Sequence, residues 1–143
     1  MPSQTKPPIW YWVVAAIALL WNAMGTMAYL TRVYMTEENR AALSEDMQTY
    51  LDNLPVWYTA VFAFAVFGGS LGSIALLMRQ GLAYVLFIIS FVAVLLQASY
   101  DLFLVENRPS YDTSDIFMII MIPLVGAGLL YLTQLAKSKG WIS

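Results

Sequence analysis

The sequence predicts an all-α integral membrane protein. Four transmembrane helices form an antiparallel bundle, with an amphipathic helical segment in the first outer loop, and residues 1–143 make one domain. Three observations carry this reading. First, the chain is 60% hydrophobic and only 11% charged, whereas a soluble domain carries about a quarter charged residues. A core this small cannot hide so much apolar surface from water. Second, residues 9–30, 56–78, 82–105 and 116–135 are apolar runs of at least twenty residues. At ~1.5 Å per residue each covers a hydrocarbon core of ~30 Å, and lipid forces such runs to be helices because it satisfies no free backbone group. Third, sorting the connections alternately to two sides puts all nine Asp and Glu on one side, while Lys6, Arg79, Lys137 and Lys139 stand unopposed on the other.

The first span follows Lys6, as a signal peptide would, but it is too long for that, holds three Trp and lacks a small-x-small cleavage site. It reads as a retained helix. The connection after it is the only long one. Leu43, Met47, Tyr50, Leu51 and Leu54 fall on one helical face, and Thr36 and Ser44 are placed to cap short helices starting at Glu37 and Glu45. Residues 36–54 are therefore expected to lie on the outer membrane surface or over the bundle mouth. A solvated connection held by its apolar face is the plainer reading, and a gating lid the sharper one.

Arg79-Gln80-Gly81 makes a tight turn between spans two and three, with Gly81 suited to a left-handed position. The third connection centres on Asn107-Arg108-Pro109-Ser110. In span four Pro123 frees the carbonyl of Ile119, and with Gly126 and Gly128 following, a bend is expected. Aromatic belts mark both ends: Trp10, Tyr11, Trp12, Tyr84 and Trp141 on the basic side, Tyr29, Tyr34, Trp57, Tyr58, Tyr100 and Tyr111 on the acidic side. The Lys and Arg balance places both termini in the cytoplasm.

Composition also narrows the chemistry. The chain has no Cys and no His, and Lys occurs only at 6, 137 and 139. Thiolate chemistry, imidazole metal ligation and a membrane-buried Schiff-base lysine are excluded. No basic stripe points to nucleic acid. Glu37, Glu38, Glu45, Asp46 and Asp52 read as a solvated face rather than a metal site. No catalytic group, metal or cofactor is expected, and the chain reads as a non-enzyme.

Two groups of residues are candidates for function. Ala65, Gly68, Gly69, Gly72 and Ser73 form overlapping small-x-x-x-small patterns, which serve either packing within the chain or a homo-oligomer seam. Asn22 and Gln97 each lie eight residues before the outer end of their helix, with Asp101 one turn above. Thr26 and Tyr100 share their faces, and Arg32 is the nearest counter-ion for Asp101, with Arg108 a second. If the two faces meet, Asn22 and Gln97 pair. The result is then either an amide lock between helices or a small polar pocket open to the outside.

Trp21-Asn22-x-x-Gly25, Pro55-x-Trp57, Val66-Phe67-Gly68-Gly69-x-Leu71-Gly72, Gln97-x-x-Tyr100 and Ser138-Lys139-Gly140-Trp141-Ile142 together resemble a group of small bacterial four-helix inner-membrane proteins, many of unassigned function and loosely labelled sugar transporters. The resemblance implies a multi-pass protein of the bacterial inner membrane that handles a small solute. Two functions fit: an oligomeric permease or pore-like protein for a small polar solute, or a non-catalytic accessory or scaffold subunit of a membrane complex. The expected partners are the lipid bilayer and either further copies of the chain or another membrane protein.

Overall fold

The structure, a computed structural model, describes residues 5–104 and 113–143. Helix α1 spans Ile9–Val33, α2 Glu37–Ala41, α3 Glu45–Asp52, α4 Val56–Leu77, α5 Leu82–Ser99 and α6 Thr113–Ser138, and α5 runs on into a π-helical turn at Tyr100–Leu104. No strand occurs among the described residues. Ile9–Val33, Val56–Leu77, Leu82–Phe103 and Ile116–Ser138 are each long and apolar enough to cross a membrane. Their outward faces carry large apolar side chains, and Leu20, Phe64, Phe103 and Tyr131 are all more than half exposed.

The two short helices begin where their caps predict. Thr36 accepts from the Asn39 amide at 3.1 Å, and Ser44 from the Met47 amide at 3.2 Å. Glu37, Glu38, Glu45 and Asp46 in the first turns add favourable charge at the helix N-termini. The third connection, with Arg108, lies outside the described residues. Helix α6 passes through Pro123 without a break.

Helix α1 packs on α4, α4 on α5, and α5 on α6. The small-residue stripe of α4 makes the first two of these seams. A Cβ on Gly72 would stand 2.9 Å from the Phe87 ring, and one on Gly68 3.3 Å from the Leu86 carbonyl oxygen, both on α5. Ser90 donates across the same seam to the Ala65 carbonyl at 2.6 Å. Gly69 and Ser73 face α1 instead. Ala65, Gly68, Gly69, Gly72 and Ser73 are all buried within the chain, so none of the stripe is left on the surface for a second copy.

At the basic end all four long helices close on one core. Tyr11, Ala15 and Ala18 of α1 meet Ala75 and Leu76 of α4, Ala83 and Phe87 of α5, and Leu129, Leu132 and Ala136 of α6, with Trp141 and Ile142 below. Tyr11 donates to the Leu76 carbonyl at 2.5 Å. The Arg79 guanidinium donates to the Thr5 carbonyl at 2.6 Å and the Trp141 carbonyl at 2.8 Å. These bonds tie both terminal segments to the α4–α5 turn.

The turn corrects one expectation. Its left-handed residue is Arg79, at φ 58, while Gly81 has φ −62. A left-handed non-glycine costs about 1–2 kcal/mol, and the two carbonyl bonds of Arg79 offset it. Glycine is needed at 81 for space, because a Cβ there would sit 3.0 Å from the carbonyl carbon of Ser143.

Toward the acidic end the core narrows. Ala65, Ala93 and Val94, with Val61 against them, come from α4 and α5 alone. The room left beside them is the candidate site.

Candidate functional site

Asn22 sits one turn beyond the basic-end core on α1. Its amide nitrogen donates to the Ala18 carbonyl at 2.8 Å and to the Ser73 hydroxyl at 3.3 Å. Its oxygen occupies the space that Gly69 leaves open, where a Cβ would lie only 2.0 Å away. One turn further, the Thr26 and Ser70 hydroxyls bond at 2.9 Å. Asn22 therefore locks α1 to α4, and it does not pair with Gln97. The expected meeting of the α1 and α5 faces fails because the glycine step on α4 brings that helix against α1 first.

Gln97 lies instead on the cavity side with Tyr58 of α4. Tyr58 donates to Asp101 Oδ2 at 2.9 Å, and Tyr50 of α3 donates to Oδ1 at 2.6 Å. The two phenol oxygens lie 3.4 Å apart. Each carboxylate oxygen of Asp101 thus has its own hydroxyl donor, a charge-assisted arrangement. Burial, with the bond to Asp101 second, pushes the Tyr50 pKa well above the usual phenol value, so Tyr50 remains a donor at neutral pH. The π-helical turn begins at Tyr100, and π turns recur at functional sites. Tyr100 is buried, with its ring 5.5 Å from Trp57 and 5.1 Å from Tyr58.

Tyr50 is the one buried residue of α3, while Leu43, Met47, Leu51 and Leu54 are half-buried on the same face. Segment 36–54 therefore does more than adhere through apolar contact. It places a buried hydroxyl on the carboxylate of α5.

Behind this cluster lies a cavity of about 450 Å³, within the ~300–1,000 Å³ typical of small-molecule sites. Its walls come from α1, α4, α5 and α6, and are mostly apolar: Trp21, Met24, Phe62, Phe87, Val94, Met118, Ile122 and Leu129. Of the six residues expected to form a polar pocket, four line it, namely Asn22, Gln97, Asp101 and Arg32. Thr26 lies instead in the α1–α4 seam, and Tyr100 in the aromatic stack.

Arg32 is not the counter-ion of Asp101. Its guanidinium carbon lies 5.1 Å from the centroid of the Phe62 ring, and the ion pair found among the described residues is Arg40–Asp52, at the surface. No three His, Cys, Asp or Glu gather to hold a metal among the described residues. The sequence reading missed Tyr50 and Tyr58. Their signal was present: Tyr58 and Asp101 stand at nearly equal distances from the α4–α5 turn, and Tyr50 lies on the apolar face of segment 36–54.

Comparison with family models, with curated proteins and with solved structures finds no match.

Proposed function

We propose that the chain is an antiparallel four-helix protein of the bacterial inner membrane, with both termini cytoplasmic, that takes a small solute into the cavity of its outer half as a permease-type protein. The observation that carries this is the cavity itself. Four helices that share one core at the basic end leave about 450 Å³ among them toward the acidic end, with two amides, a carboxylate and a guanidinium on its walls. A scaffold needs only packing surfaces between helices and has no use for such a space. Segment 36–54 reaches the polar end of the cavity through the Tyr50 bond to Asp101.

A single bundle is thin for an enclosed path, so transport requires a homo-oligomer. Because the α4 stripe is used within the chain, that contact forms over the exposed apolar faces. Reconstituted liposomes test the reading. Uptake of a solute from a panel of sugars, amino acids and amphiphiles is expected, and it falls when the cavity is filled by Ala28→Phe. Uptake equal to empty liposomes across the panel, with a stoichiometric membrane partner in gentle detergent, would establish the accessory-subunit reading instead. Orientation is checked by single cysteines at Ser44 and Ser138, since the chain has none of its own. An impermeant reagent added outside should label the first and not the second.

A further inference from the structure

The cavity has a side opening and a cation that forms no ion pair among the described residues, and the two together point to what it takes. Helices α1 and α6 meet in the basic-end core and flank the cavity beyond it. Met24 of α1 and Met118 of α6 line it, yet are 70% and 42% exposed. It therefore opens sideways between the two helices, toward the lipid in a membrane. A second, apolar groove of about 400 Å³ continues along the same α1–α6 seam and shares Trp21, Val125 and Leu129 with it. A sugar gains nothing from an entrance through hydrocarbon, whereas an acyl chain does.

The polar end identifies the head group. Both oxygens of Asp101 already accept from phenols. Arg32, at the same end, forms no ion pair among the described residues; it lies over the Phe62 face, between this cavity and a groove that Glu37 and Arg40 line. Its planar fork of donors matches a carboxylate or phosphate. From the level of Trp21 to Arg32 the cavity runs eleven residues of α1, about 16 Å at the helical rise, which suits a single extended chain.

We propose that the solute is a single-chain anionic amphiphile, such as a fatty-acid carboxylate or an alkyl phosphate. It enters from the bilayer between α1 and α6, with its head group on Arg32 and its tail against Trp21. This assignment rests on the cavity being a solute site.

The test uses the full chain in nanodiscs of zwitterionic lipid, with brominated dodecanoate, dodecanol and dodecylamine as quenchers of tryptophan fluorescence. Trp21→Phe isolates the signal from the cavity. Trp21-dependent quenching by bromododecanoate should be saturable and at least about tenfold tighter than by the alcohol, as a charge-assisted hydrogen bond provides. Arg32→Gln should erase that preference and Arg32→Lys should keep part of it, which separates loss of charge from loss of fold. Bromododecyl phosphate distinguishes a phosphate from a carboxylate head. Equal affinity for all heads, or preference for the amine, overturns the anionic assignment while leaving a cavity that binds amphiphiles. No Trp21-dependent quenching by any of them overturns the assignment, and liposome uptake of a polar solute would then show that the cavity reading survives it.

Discussion

Replacing Tyr50 by Phe removes one hydroxyl and leaves the ring. The lost bond runs to Asp101 Oδ1 at 2.6 Å from a side chain that is 7% exposed. A hydrogen bond to a charged group contributes about 1.5–3 kcal/mol net. The other ties on segment 36–54 are weaker: the Arg40–Asp52 pair is solvent-exposed and joins two residues of the segment itself, and the apolar face is only half-buried apart from Tyr50. Opening of α3 should therefore become about ten- to a hundredfold more frequent. Amide hydrogen exchange reads this directly, since protection measures the free energy of local opening. In nanodiscs, residues 45–52 should lose protection by that factor, while α4 and α5 keep theirs because Tyr58 still holds Asp101 Oδ2 at 2.9 Å. Unchanged protection over 45–52 would refute the reasoning and leave ring burial alone as the anchor.

Alkaline pH should loosen the same contact. The Tyr50 pKa is raised on folding, by burial first and by Asp101 second, so its contribution is complete below the unfolded phenol value of about 10. It is lost progressively as pH rises past that value toward the folded one. Exchange over 45–52 should accelerate above this pH beyond the intrinsic rate in the wild type but not in Tyr50→Phe. Gly69→Ala places a Cβ 2.0 Å from Asn22 Oδ1 and should destabilise the bundle by about 1–3 kcal/mol. Adding Asn22→Ala should recover part of this in a double-mutant cycle by thermal unfolding in detergent. Gly128→Ala, with nothing within 4 Å of the added carbon, should be neutral or stabilising by up to about 1 kcal/mol. Arg79→Ala removes two bonds to terminal carbonyls and keeps the left-handed turn. It should cost about 2 kcal/mol or more and expose the backbone at Thr5 and Trp141 to proteolysis, with the acidic-end cavity unaffected.

Helix positions were legible because hydropathy and length bear on each residue's own transfer free energy. The runs beginning at Ile9, Val56 and Leu82 start where the helices do. Thr36 and Ser44 announced α2 and α3 for a similar reason: a cap acts on amides two or three residues away, so its signal is local. Asn22 marks the limit. Its depth and face were readable, but the 3.6-residue period says which way a side chain points and not which helix it meets. The partner was decided by Gly69 and Ser73, whose small volumes let α4 come close. Gly81 shows the same limit on a smaller scale, since its space requirement comes from Ser143, sixty-two residues away in sequence.

The candidate site divides in the same way. The one-sided distribution of acids, the depth of Gln97 and Asp101 and the small-residue stripe on α4 belong to the sequence, because charge, hydropathy and volume are properties of single residues. Only the tertiary structure decided that Asp101 is capped by Tyr50 and Tyr58, that Arg32 is left beside Phe62, and that the helices close at one end and part at the other. Those outcomes depend on which surfaces fit together. In a membrane, where apolar surface meets lipid or protein at similar free energy, fit is set by close packing and hydrogen bonds between helices, and neither is written in any one segment alone.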